Sequence, residues 1–334
     1  MNILVTGGAG YIGSVTATEL IAYGNSVVVY DSLIKGHVAA VPRAAEFVLG
    51  DIADRAKLEG TLRKYSIEAV FHFAALTEAG ESMKAPALFF RNNTAGTLTL
   101  IEAMLATGVR QLVFSSTAAV YGEPQRIPIL ETDPLRPTNV YGESKLMVEQ
   151  MLDWFHRIHG LRYASLRYFN AAGATDILGE SHEPESHLIP IVLRTALGKC
   201  PKVSIYGSDY PTRDGTCVRD YIHVVDLARA HILALTALAQ RSQLVYNLGN
   251  GLGFSVREVI DLASQISGVK IPVVQAPRRD GDPAELIASS DKIRQELGWV
   301  PEYPQLESII SSAWAWHQRH PDGYSASKES GVAA

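Results

Sequence analysis

The chain has 334 residues, with 30 Lys and Arg against 35 Asp and Glu for a net charge of −5. At 47% hydrophobic and 19% charged it is neither disordered nor fibrous, and its length suits about two domains. No basic run marks a nucleic-acid partner, and nothing approaches the roughly 18 consecutive apolar residues of a membrane span.

Ile3 to Thr6 is a short apolar run without helical period, as in a strand buried on both faces. Gly7-Gly8-Ala9-Gly10-Tyr11-Ile12-Gly13 follows, then helical periodicity through Ala17, Leu20 and Ile21 up to a stop at Gly24. A second strand, Ser26 to Tyr30, ends on Asp31. Strand, glycine turn, helix, strand and closing acid, in that order, form a dinucleotide fingerprint. Gly7, Gly10 and Gly13 supply the tight turn, the close approach to pyrophosphate and the helix-to-strand packing. The helix start at Tyr11 and Ile12 offers free N–H groups to the phosphates. Asp31 suits the adenosine ribose hydroxyls and repels a 2′-phosphate, and no Arg adjoins it, so NAD is expected over NADP.

Glu46 to Leu49, Ala69 to Phe73, Gln111 to Ser116 and Tyr163 to Tyr168 read as further short strands, separated by helical stretches such as Arg55 to Tyr65 and Thr94 to Thr107. The alternation predicts an α/β fold, a Rossmann-type doubly wound parallel sheet. Ligands bind at the carboxyl ends of such strands. The residues found there are Asp51 and Ile52, then Phe73, Ala74 and Ala75, then Ser115 to Thr117, then Phe169 and Asn170. Asp51 is within reach of an adenine amino group, and the small residues after Phe73 leave room for a cofactor backbone.

Tyr141-Gly142-Glu143-Ser144-Lys145 opens a helix running through Phe155, and the i, i+4 spacing puts Tyr141 and Lys145 on one face. A nearby ammonium and a positively charged nicotinamide both lower a tyrosine pKa, making Tyr141 an acid/base candidate.

Beyond about residue 175 prolines punctuate shorter elements. We expect residues 1–175 to form the NAD-binding domain carrying the catalytic groups, and 176–334 a smaller mixed α/β substrate domain, with part of 216–248 packing back on the first. The tail from His320 is small and polar enough to be partly disordered. Two cysteines, Cys200 and Cys217, form no disulfide or CxxC metal framework, and the histidines show no ligand spacing, so no metal is expected. The start Met1-Asn2-Ile3-Leu4-Val5 lacks the features of a signal peptide, and a soluble cytoplasmic protein is expected.

With the glycine turn, Thr117 and the Tyr141/Lys145 pair in hand, the chain resembles the extended short-chain dehydrogenase/reductases. The runs TGGAGYIG (6–13), SSTAAVYG (115–122), YGESK (141–145), RYFNAAG (167–173), YPTRDGTCVRDYIHV (210–224) and RRDGD (278–282) are similar to those of the UDP-glucose 4-epimerases. The resemblance covers nearly the whole chain to about residue 317. It implies C4 inversion of UDP-galactose and UDP-glucose through a transient 4-keto sugar, with NAD reduced and regenerated in place. By the same resemblance Tyr141 is the acid/base, Lys145 holds the nicotinamide ribose and Thr117 bonds the reacting oxygen. Tyr168 and Phe169 line the nicotinamide, and Asn93 lies at the base of the site. Asn170, His187 and Leu188 contact the sugar or diphosphate, Ser204, Ile205 and Tyr206 flank uracil, Arg219 and Arg279 clamp the diphosphate, and Asp282 accepts from the uridine ribose. A homodimer through the helices at Thr94 to Leu105 and Leu146 to Phe155 is also implied.

Two departures stand out. Thr77 occupies a place where several epimerases carry a Lys, and the stretch Pro283-Ala284-Glu285-Leu286 is about one residue shorter than in some relatives, which leaves acceptance of N-acetylated UDP-hexoses open. Among rival readings, a 4,6-dehydratase needs an acid/base pair where this chain has Ala118 and Ala119. A UDP-glucuronate 4-epimerase or decarboxylase is disfavoured by the 210–224 run, and a non-catalytic NAD sensor by the retained Tyr/Lys pair.

Overall fold

Short apolar strands that must be covered on both faces dictate this architecture. The computed structural model describes residues 1–279 and 282–324. Two residues of the RRDGD run and the end of the polar tail, 280–281 and 325–334, lie outside the described residues. The first part of the chain gives β1 (Asn2–Thr6), α1 (Tyr11–Ala22), β2 (Ser26–Asp31), β3 (Glu46–Leu49), α2 (Arg55–Lys64), β4 (Ala69–His72), α3 (Ala79–Ser82), α4 (Pro86–Phe89), α5 (Gly96–Thr107), β5 (Gln111–Thr117), α6 (Val140–His159) and β6 (Arg162–Tyr168). It continues with β7 (Asn170–Ala172), α7 (Leu188–Ala196), β8 (Val203–Tyr206), β9 (Val218–Arg219), β10 (Tyr221–His223), α8 (Val224–Ala237), β11 (Gln243–Leu248), β12 (Phe254–Ser255), α9 (Val256–Ser267), β13 (Val273–Ala276), β14 (Glu285–Leu286), α10 (Asp291–Leu297) and α11 (Leu306–Arg319).

Seven strands pair in parallel in the order β11-β6-β5-β4-β1-β2-β3. The chain winds outward from β1 through β2 and β3, then returns to place β4 on the other side of β1. That reversal opens a crevice at the carboxyl ends of β1 and β4. Ile3 and Val5 pack with Ala17 and Leu20 of α1 and Leu227 and Ala230 of α8 on one face of the sheet. Leu4 packs with Leu58, Leu100, Met104, Val148 and Leu152, from α2, α5 and α6, on the other. This is the doubly wound arrangement the alternation predicts.

A separate core of Ile189, Val192, Val203, Val259, Ile260, Ile309 and Ile310 gathers α7, β8, α9 and α11. Around it lie short pairings: β13 with β8, β10 with β7, and β9 between β12 and β14. The chain then returns to the large sheet, β11 pairing with β6 while α8 packs on α1.

Two elements differ from expectation. The helix expected from Thr94 begins earlier, because a π-helical stretch, Phe90–Ala95, leads into α5. Beyond α11 the chain is anchored rather than loose as far as Tyr324, whose hydroxyl donates to Gly179 O at 3.2 Å, while His320 stacks on Trp316 with ring centroids 4.7 Å apart.

Candidate active site

Three loops form the walls of the crevice. In the first, Gly7 adopts φ +72°, and a Cβ there would lie 2.5 Å from Ala74 N, so the glycine turn packs directly on the stretch after β4. A Cβ at Gly13 would lie 2.2 Å from Gly7 O, whereas at Gly10 it would meet only Gly7 O, at 3.3 Å. Gly10 thus faces the open side of the turn. No side chain caps α1, which leaves the first-turn N–H groups of Tyr11, Ile12 and Gly13 available to an anion. The Tyr11 hydroxyl donates to Gly173 O at 2.6 Å, tying the helix start to the segment after β7.

Asp31 is buried, and its carboxylate accepts from Ala9 N at 3.0 Å and Leu33 N at 2.8 Å. It braces the glycine turn and retains lone pairs for a ribose. Asp51 turns its carboxylate to Ala53 N at 2.8 Å, and Ile52 is buried beside it. Phe73, Ala74 and Ala75 form the second wall, with the Phe73 ring 5.0 Å from that of His231. Small residues at the turn, uncapped N–H groups and an acid at the end of β2 together fit a dinucleotide.

The third wall carries Thr117, Tyr141 and Lys145, the candidate reactive groups. Thr117 ends β5, and its Oγ1 accepts from Ala119 N at 3.1 Å. Asn139 caps α6 by accepting from Gly142 N at 2.9 Å, which starts the helix at the point that brings Tyr141 opposite Thr117. Tyr141 is fixed twice through its backbone: its N–H donates to Ser82 Oγ at 3.1 Å, and its carbonyl accepts from Ser144 Oγ at 2.7 Å. One turn on, the Lys145 side chain is 2% exposed, donates to Ser115 O at 2.9 Å and lies 4.9 Å from the Phe114 ring centroid. That leaves it two further N–H donors, the number a vicinal ribose diol accepts.

Burial pushes the Tyr141 phenol up to about 12, with a hydrogen bond from Thr117 pulling it back and the Glu78 charge adding to the rise. Burial also lowers Lys145 to about 7. The sequence suggested that the ammonium depresses the tyrosine. In the protein alone burial is the largest influence on both groups, and Lys145 does not figure among the causes of the Tyr141 shift.

Asn93, expected at the base of the site, acts as a clamp. It is 2% exposed, accepts from Leu76 N at 2.8 Å and donates to Leu76 O at 2.9 Å and Ser144 Oγ at 3.0 Å, joining the wall after β4 to α6. The π-helical turn that carries it widens the backbone at this point. The Tyr168 hydroxyl meets Ser115 Oγ at 2.6 Å, and burial raises its pKa. Phe169 follows it and packs near Val120 and Leu146.

The proposed nucleotide-sugar residues fall into two groups. Tyr206, Arg219, Arg279 and Asp282 come together: Arg219 donates to Asp282 Oδ1 at 3.0 Å and to Pro283 O at 2.9 Å, and Arg279 lies 3.5 Å from Asp282 Oδ2. Arg279 also covers the Tyr206 ring at 4.2 Å. Ser204 and Ile205 precede Tyr206 on β8, and the short stretch at 283–286 pairs with the strand bearing Arg219. Asn170 belongs to the other group, donating from Nδ2 to Asp220 O at 3.0 Å. His187 directly precedes α7, which Leu188 begins, without capping it through its side chain, and its Nδ1 lies 2.9 Å from both Glu180 Oε1 and Glu185 Oε1. The charge of Glu180, with Glu185 adding to it, raises the His187 pKa well above its ordinary value against the opposing effect of burial. Glu180, His182, Glu185 and His187 bring one ligand atom each within 4.8 Å of one another; the four fall within eight residues of sequence, a local grouping that the reading of the histidines passed over.

Sequence reasoning missed the groups behind the site. Glu149 and Arg167 form a buried bidentate pair at 3.0 and 2.6 Å, and Ser116 Oγ donates to the same carboxylate at 2.5 Å. This locks α6 to β5 and β6. In sequence Glu149 is one of several charges on an amphipathic helix and Arg167 one of two arginines in β6, so nothing local singles them out.

Comparison with known proteins agrees with this geometry. The model of the NAD dependent epimerase/dehydratase family matches residues 3–249. The chain is 54% identical over 328 residues to a UDP-glucose 4-epimerase of Halalkalibacterium halodurans, covering 97% of this chain and 98% of that protein. Among solved structures it is similar to UDP-glucose 4-epimerase from Brucella ovis in complex with NAD, with a TM-score of 0.91 at 47% identity over 94% of this chain and 97% of the other. It is also similar to the Bifidobacterium longum UDP-glucose 4-epimerase in complex with NAD+ and UDP, with a TM-score of 0.93 at 38% identity over 97% and 100%. A glycine turn at the strand-order reversal, a tyrosine and lysine one turn apart beside it, and likeness along nearly the whole chain lead to one conclusion: the chain belongs to the NAD dependent epimerase/dehydratase family.

Proposed function

We propose that the protein is a NAD-dependent epimerase that inverts C4 of UDP-galactose and UDP-glucose. The observation that supports this reading is the meeting of Thr117 at the end of β5 with Tyr141 and Lys145 on α6, while Arg219, Arg279 and Asp282 gather in the second part of the chain. NAD, held by the glycine turn, Asp31 and Lys145, would supply a reversible hydride acceptor for the substrate carbon. The protein's own part is positioning and proton transfer. Thr117 holds the reacting 4-oxygen, Tyr141 takes the hydroxyl proton and gives it back on the return step, and Lys145 holds the nicotinamide ribose. The cycle leaves no net oxidation, so no second substrate is required.

Inversion demands that the hexose present both faces while its nucleotide stays held. Arg219 and Arg279, pinned by Asp282, supply planar donors for a diphosphate. Ala118 and Ala119, directly after Thr117, keep the side chains small beside the reacting groups. In this reading residues up to about 175 hold the cofactor and the remainder grips the nucleotide sugar, apart from α8 and β11, which complete the cofactor domain. The apolar side chains Leu98 of α5 and Met147, Trp154 and Ile158 of α6 are exposed, which favours a second copy docking there in a homodimer. No described helix is long and apolar enough to cross a membrane, and both cysteines are free, in keeping with a cytoplasmic site of action.

The test is conversion of UDP-galactose to UDP-glucose by the purified protein with no cofactor added, followed by NMR from both directions to a common equilibrium. Absence of conversion with and without added NAD would remove this reading. UDP-GalNAc in the same assay settles the breadth of the sugar pocket.

A further inference from the structure

The loop after β2 docks against the glycine turn. A Cβ at Gly36 would lie 2.9 Å from both Ala9 Cβ and Asp31 Oδ1, and His37 N donates to Ala9 O at 2.9 Å. The neighbouring Lys35 is thereby held at that rim of the crevice. Its Nζ reaches Glu78 Oε1 at 2.8 Å and also donates to Glu183 O at 3.2 Å, while His37 Nε2 lies 2.8 Å from Ser181 O. Glu78 directly follows the Ala74–Thr77 wall, and its Oε2 accepts from Thr77 N at 3.1 Å. One lysine therefore ties together the rim at β1 and β2, the rim at β4 and the segment before α7.

The two rims bound the crevice at the strand-order reversal. A dinucleotide held at Asp31 and reaching toward Tyr141 has these rims on either side of it, and the link from Lys35 to Glu78 joins one rim to the other. The Lys35 and Glu78 side chains are only 34% and 22% exposed, so the pair is better sheltered from water and salt than an ordinary surface bridge. Hydrogen bonding to Lys35 keeps the Glu78 carboxyl below its usual range against the opposing effect of burial.

We propose that the Lys35–Glu78 ion pair is a strap across the dinucleotide crevice that sets how long the cofactor stays bound. The inference rests on the NAD site proposed above and adds Lys35 and Glu78 to it as positioning residues. It has a chemical purpose. A reaction that takes a hydride and returns it to the same molecule fails if the cofactor leaves between the two transfers. The strap closes the crevice without contributing a reacting group.

The test uses the full-length protein with the nucleotide it retains on purification. Bound NAD is chased with excess isotopically labelled NAD, and exchange is read by mass spectrometry. Lys35→Met and Glu78→Gln should each release NAD about tenfold faster than the parent and lose activity on dilution, and added NAD should restore it. Lys35→Arg, and the charge swap Lys35→Glu with Glu78→Lys, should return the release rate to within about threefold of the parent. Release rates within twofold of the parent in both single variants, or a swap with no recovery, would overturn the strap while leaving the NAD site intact. A parent that neither retains NAD nor turns over with it would overturn the site reading itself, and the strap with it.

Discussion

Replacing Lys145 by Met should stabilise the protein while disabling it. The buried ammonium sits at a pKa of about 7 against an ordinary 10.5, and each tenfold change in proton affinity corresponds to about 1.4 kcal/mol. At pH 7 the folded state therefore carries a penalty of about 4 kcal/mol for keeping this group charged or stripping its proton. Met fills a similar volume without that cost, but the hydrogen bond to Ser115 O is lost, which costs about 1–3 kcal/mol. The net gain is about 2 kcal/mol. At roughly 2.1 cal/mol/K per residue, the 334-residue chain unfolds with an entropy near 0.7 kcal/mol/K, so the melting temperature of nucleotide-free protein should rise by about 3 °C.

The pH dependence supplies a second readout. Because the folded lysine has the depressed pKa, the unfolded chain binds more protons between pH 7 and 10.5. Parent stability should then climb with pH across that window by up to about 1.4 kcal/mol per pH unit, and the Met variant should lack this lysine's share. Epimerisation of UDP-galactose should fall by at least about 100-fold through loss of the ribose contact and the local charge. A Met variant that melts below the parent, or one that keeps the same pH slope, would refute the argument that burial dominates this site.

Three further outcomes follow from the same geometry. Tyr141→Phe should keep the parent circular dichroism and melting behaviour but lose about 10²–10⁴-fold in turnover; wild-type rates would assign the proton transfer elsewhere. Thr117→Val removes the hydrogen bond that pulls the Tyr141 pKa down, so the limb of the pH–rate profile reporting phenol ionisation should move to higher pH, and an unmoved limb would separate Thr117 from Tyr141. Glu149→Gln breaks the buried pair with Arg167 and should cost about 3–5 kcal/mol in denaturant unfolding, whereas the double replacement Glu149→Met with Arg167→Met should lie close to the parent; equal losses in both would show that packing, not charge, makes the contribution.

Much of the site was legible because its signals are local. Gly7 needs a positive φ, a helix must begin where Tyr11 stands, and Tyr141 and Lys145 share a face because a helix turns every 3.6 residues. The roles of Asn93 and Glu149 were not legible. Asn93 is placed at the base of the site by resemblance, but only the structure shows that it joins Leu76 to Ser144, 51 residues away. Glu149 reads as one charge on an amphipathic helix until β6 brings Arg167 beneath it. For Tyr141, spacing shows that an ammonium is one turn away, but only burial fixes the direction in which its pKa moves.

What the sequence alone determined is the alternation of strands and helices along the first part of the chain, the glycine turn after β1 and the shared helix face of Tyr141 and Lys145, all set by periodicity, backbone freedom and spacing within about thirty residues. The tertiary structure decided which distant segments meet. Lys35 and Glu183 are 148 residues apart, and Arg219 and Asp282 are 63 apart, yet each pair is in hydrogen-bond contact. Such pairings follow from where the strand order reverses and from how the second core seats β9 beside β14. Both are settled by the burial of apolar surface over the whole chain, which no local pattern encodes.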